Sequence, residues 1–74
     1  MQLTFDPDAN AAYLYLTDDR PLKISEEEAC GLYVEGGSSI MLAYDEQRHL
    51  IGIEFLGATR VLPQECLAEA DRIR

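Results

Sequence analysis

Apolar and polar positions alternate with a period of two through most of the chain, and a helical period appears only near its C-terminal end. At residues 2–5, Leu3 and Phe5 fall on one side of an extended segment. A second segment over 12–16 sets Leu14 and Leu16 on one side and Tyr13 and Tyr15 on the other. Between them, Asp6-Pro7-Asp8-Ala9-Asn10 has turn chemistry, because an Asp carboxylate accepts from the backbone ahead of it and Pro fixes the next φ. A third strand is predicted over 30–34, with Leu32 and Val34 on one face and a glycine-rich turn, Glu35-Gly36-Gly37-Ser38-Ser39, after it. A fourth over 40–44 and a fifth over 50–56 form a second hairpin across Asp45-Glu46-Gln47-Arg48. In the fifth, Ile51, Ile53 and Phe55 point one way and Gly52 and Glu54 the other.

Gly57 ends the sheet pattern, and Pro63 suits the first position of a helix over 63–73. Cys66, Leu67, Ala70 and Ile73 share one face of that helix, with Glu65 near its start and Arg72 and Arg74 near its end. The polar connection Thr17-Asp18-Asp19-Arg20-Pro21 leads into a solvated stretch, residues 23–28, that reads as loop or edge strand. The pattern predicts one α+β domain over residues 1–74: a small antiparallel β-sheet of four to five strands built from hairpins, with one C-terminal α-helix. A helix this short must pack on the sheet or on a second chain.

With both hairpins in view, the chain resembles the small bacterial family catalogued as domain of unknown function 2283. The resemblance rests on Asp6-Pro7 at the end of the opening strand, Ala12-Tyr13-Leu14 in the returning strand, and Tyr44-Asp45-Glu46 followed by Gly52-Ile53-Glu54 in the later hairpin. Two departures stand out. Gln47-Arg48-His49 occupies the place where a glycine often ends the hairpin turn, and residues 23–35 match loosely. The resemblance implies a compact antiparallel sheet with a C-terminal helix and carries no established activity or catalytic residue. Some members look like partners of toxin-like proteins, which implies an antitoxin-like role.

Size and charge narrow the function classes. A chain of 74 residues buries a small core and is marginally stable, so self-association is expected. Its net charge of −8 repels phosphate, and its six cations are scattered singly, so direct nucleic-acid binding is not expected. The same charge speeds encounter with a basic protein. No segment is long and apolar enough to span a bilayer, and the opening residues lack a basic lead and an apolar run, so a cytoplasmic protein is expected. Cys30 and Cys66 lie far apart in apolar patterns and are expected as buried free thiols.

Candidate chemistry is sparse. Asp6, Asp8 and Asn10 have the spacing that opens a calcium loop, but Ala11 replaces its glycine and Thr17 its closing glutamate, so the turn accounts for them better. His49 is the single histidine, at a turn, with no nucleophile placed beside it. Glu54 lies inside an apolar strand and must face water or meet a cation such as Arg48 or Arg60. No catalytic residue, cofactor or metal site is therefore assigned. Tyr13, Tyr15 and Tyr33, with the acidic run Glu26, Glu27 and Glu28, are the candidate interface. The expected function is a non-enzymatic acidic interaction module, in its specific form an antitoxin-like partner of a small basic protein. The alternative is a homo-oligomeric domain that binds a small ligand.

Overall fold

The computed structural model describes residues 1–29 and 37–72. The elements follow in the order β1 (Gln2–Asp6), β2 (Ala11–Tyr15), β3 (Glu26–Ala29), β4 (Ser39–Tyr44), β5 (Leu50–Leu56), α1 (Ala58–Val61), α2 (Gln64–Glu69) and β6 (Asp71–Arg72). The strands make one sheet in the order β3-β4-β5-β2-β1-β6. Every neighbouring pair is antiparallel except β1 with β6, which is parallel, so the sheet is mixed. The predicted α+β class holds, and three of the expected strands coincide with β1, β2 and β4 to within a residue and a fourth with β5. The expected strand over 30–34 lies outside the described residues.

Period-two alternation and register together sort the side chains onto two faces. Leu3, Leu14, Ile53 and Leu42 form one row across β1, β2, β5 and β4, and Phe5, Ala12, Phe55 and Ile40 form the next. Both rows lie on the same face. The helices cover its β1–β2–β5 half, where Phe5, Ala12, Ala58 and Leu67 are buried and Leu3, Phe55, Leu62 and Ala70 pack against them. Burying one such large side chain is worth about 1.5–3 kcal/mol, so Phe5 and Leu67 carry much of this core. Leu14, Ile40, Leu42 and Ile53 are half-buried.

Each hairpin turn is built by its own side chains. The Asp6 carboxylate accepts from the Asp8 and Ala9 amides at 3.0 and 3.4 Å. Asp45 Oδ1 accepts from the Gln47 and His49 amides, both at 2.9 Å. Arg48 then takes φ 67°, the left-handed conformation that a glycine would adopt more cheaply, and the turn closes without one.

Asn10 does more than end its turn. At φ 51° its carbonyl oxygen accepts from the Gly57 and Ala58 amides at 3.0 and 2.9 Å, and its Oδ1 accepts from the Thr59 amide at 3.1 Å. Its amide nitrogen donates to Thr59 Oγ1 at 3.0 Å. The first amides of a helix have no partners within it. Gly57, the residue that starts α1, caps it with no side chain, so a residue from the other hairpin satisfies them.

The C-terminal segment departs from the sequence expectation. In place of one helix over 63–73 there are α2 and β6, preceded by α1, which the pattern did not predict. Helix α2 stops at Glu69 because Ala70 turns extended, at φ −72° and ψ 151°, and Asp71 and Arg72 pair with Thr4 and Phe5. Asp71 also accepts from the Gln2 side-chain amide at 2.7 Å, and the Arg72 guanidinium lies 5.1 Å from the Phe5 ring centroid. These contacts outweigh one further turn of a marginal helix. Arg72 therefore complements no helix end, and Cys66 is exposed rather than buried, because Leu67 alone of the α2 residues is buried. Cys30, Ile73 and Arg74 lie outside the described residues.

Asn10→Ala is expected to cost about 2–3 kcal/mol in chemical denaturation, combining a lost cap with a left-handed non-glycine residue. Asn10→Asp, which keeps the acceptor for Thr59, should lose less. Gly57→Ala should destabilise more than Gly37→Ala. Both sites have positive φ, but a Cβ at 57 would fall on Ser38 Oγ and lie 3.2 Å from its Cα, whereas at 37 it meets open space. Equal losses would show that the close approach of Ser38 carries no energy.

Candidate functional site

The face opposite the helices has a different chemistry. Gln2, Thr4, Tyr13, Tyr15, Gly52, Glu54, Ala43 and Glu27 all fall there by alternation and register. One row runs Tyr15, Gly52, Ala43, Glu27 across β2, β5, β4 and β3, and Tyr13 stands opposite Glu54. Of the candidate interface residues, the fold thus brings together Tyr13, Tyr15 and Glu27. Glu26 and Glu28 alternate onto the helix-covered face, and Tyr33 lies outside the described residues.

Gly52 is what allows Tyr13 to lie down. A Cβ there would sit 2.6 Å from Tyr13 Cε1 and 2.7 Å from its hydroxyl, so the ring occupies the space that any other residue would fill. The Tyr13 hydroxyl is buried with no hydrogen-bond partner among the described residues. Burial pushes this phenol above its ordinary value of 10.0, and the negative charges of Glu27 and Glu54 and the neighbouring Tyr15 add to the effect. Tyr13 and Tyr15 are tilted neighbours with ring centroids 4.7 Å apart.

Tyr15 carries a cation already. The Arg20 guanidinium lies 3.7 Å from its ring centroid and is fixed there by donating to the Thr17 and Asp19 carbonyls at 2.6 and 3.1 Å and to Gln2 Oε1 at 3.0 Å. The ring face is therefore shaped for a guanidinium, and the carboxylates of Glu54 and Glu27 stand further along the same face. Glu54 forms no ion pair with Arg48, which instead bridges to Glu26. The sequence pattern placed the tyrosines and Gly52–Glu54 on the non-apolar sides of their strands. What it could not supply was the β2–β5 pairing that sets them side by side, or the return of Arg20 onto Tyr15.

The other sequence candidates resolve into structural roles. Asp6 and Asn10 spend their oxygens on the turn and on α1. His49 is exposed, with Nδ1 3.6 Å from Asp45 Oδ2. Asp45, His49, Arg20, Lys23 and Ile51 contribute to an open groove of about 850 Å³ between the 17–25 connection and the second hairpin. Among the described residues no three His, Cys, Asp or Glu side chains are grouped to hold a metal ion. No helix among them is long and apolar enough to cross a membrane.

Tyr13→Phe removes an unpartnered buried hydroxyl and is expected to leave the melting temperature unchanged or raised. A phenol held above its ordinary value stabilises the fold fully below pH 10.0, and this contribution is lost as pH rises through the folded-state value. Denaturation followed across that range should show a falling stability that Tyr13→Phe flattens. Gly52→Ala should destabilise strongly, and pairing it with Tyr13→Ala should recover part of the loss, a coupling that a double-mutant cycle measures directly.

The family model described as "Protein of unknown function (DUF2283)" matches residues 2–58. No curated protein and no solved structure matches the chain.

Proposed function

We infer that this chain, which belongs to the DUF2283 family, is a non-enzymatic acidic module that binds a basic protein through the tyrosine face of its sheet. The observation that carries this reading is the grouping of Tyr13, Tyr15, Glu27 and Glu54 on the face left uncovered by the helices. Aromatic rings with carboxylates beside them attract lysine and arginine side chains, and Arg20 on Tyr15 is an intramolecular example of the contact. The net charge of −8 supplies the long-range attraction. In its specific form the module is antitoxin-like and neutralises a small basic partner by covering its surface.

A second reading, a homo-oligomer with a small-ligand site, is favoured by the groove beside Lys23 and His49. A metabolite that binds only the native state there must raise the melting temperature.

The test is to identify a companion captured by the full chain and to measure association of the purified pair at low and high salt. A basic companion whose association rate falls steeply with salt is expected. Tyr15→Ala and Glu54→Gln should each weaken the complex by about tenfold, the usual scale for a central contact. A rate and affinity indifferent to salt would overturn the electrostatic basis of the proposal.

A further inference from the structure

Strand β3, like the two-residue β6, gives nothing to the core. Glu26, Glu27, Glu28 and Ala29 are all exposed, and the strand is joined to the sheet through its antiparallel ladder with β4. It stands at the end of the sheet, so among the described residues one side of its backbone has no neighbouring strand. Alternate N–H and C=O groups on that side remain available to a further strand. Its side chains point to both faces, with Glu27 on the tyrosine face and Glu26 and Glu28 on the other. Arg48 neutralises Glu26, while Glu27 and Glu28 have no ion pair among the described residues.

These features select the strand that can dock. A second copy of β3 would set carboxylate beside carboxylate across the new ladder, between chains that each carry −8, and like charges directly opposite are unfavourable. An extended segment with adjacent basic residues meets the opposite condition. Neighbouring residues on a strand point to opposite faces, so one cation reaches Glu27 and the next reaches Glu28.

We propose that the free edge of β3 accepts an extended segment of a basic partner as an added strand, through backbone pairing and through adjacent Lys or Arg residues that meet Glu27 and Glu28. This rests on the basic-partner reading above and specifies how that partner is held.

The probe is a short synthetic Val/Thr peptide with two adjacent central lysines, titrated into the full isotope-labelled chain while amide exchange is followed. Saturable binding with slowed exchange at Glu26–Ala29 is expected. Glu27→Lys combined with Glu28→Lys should weaken it by about tenfold, and a peptide with glutamates in place of the lysines should restore binding to that variant. Both positions are exposed, so the exchange leaves the core untouched. A peptide N-methylated along its pairing edge should lose binding to the unaltered chain. If the N-methylated peptide binds equally well, or protection appears at the tyrosine face and not at β3, strand addition is overturned while the basic-partner reading stands. If the lysine peptide does not bind, the edge proposal is overturned, and the salt dependence of the captured complex judges the broader reading by itself.

Discussion

The first turn of α1 presents the amides of Gly57, Ala58 and Thr59 with no cap of its own, and all three are satisfied by Asn10. This constraint ties the two hairpins together. Because Asn10 ends the β1–β2 turn and Gly57 ends β5, the hydrogen bonds fix where the chain leaves the sheet and on which side α1 lies. Ala58 is completely buried next to Phe5 and Ala12 as a result, and α2 can then place Leu67 on the same cluster. Leu67 and Phe5 contribute burial energy only in a geometry that Asn10 sets.

The two faces of the sheet divide the labour. One is apolar and takes the helices over the β1–β2–β5 half, which gives this short chain its core. The other is built round Gly52, whose missing side chain lets the Tyr13 ring rest on the sheet. A phenol hydroxyl buried without a partner costs stability. Tyr13 and Tyr15 lie tilted together beside Gly52, and Ala43 in the same row is buried, so this face has a small aromatic cluster of its own.

Much of this was legible in the residues. Strict alternation in the two hairpins placed Leu3, Phe5, Leu14, Ile53 and Phe55 on an apolar side, and Tyr13, Tyr15, Gly52 and Glu54 away from it. The β5 boundaries followed from the same pattern. The C-terminal segment was less legible, because Cys66, Leu67, Ala70 and Ile73 suit a helical face as well as any sequence could. Only the pairing of Asp71 and Arg72 with β1, nearly the whole chain away, ends the helix at Glu69. Arg20 was hidden for a similar reason, since its place on Tyr15 depends on the path of an irregular connection. The acidic run was visible, but its division between two faces needed the register with β4.

The parallel pairing of β6 with β1 spans two residues and joins segments 67 positions apart at Thr4 and Asp71. Residues at opposite ends of the sequence are therefore neighbours at one edge of the sheet, and a substitution at Asp71 or Arg72 acts on the first strand, through the Gln2 side chain and the Phe5 ring, rather than on the helix that precedes it.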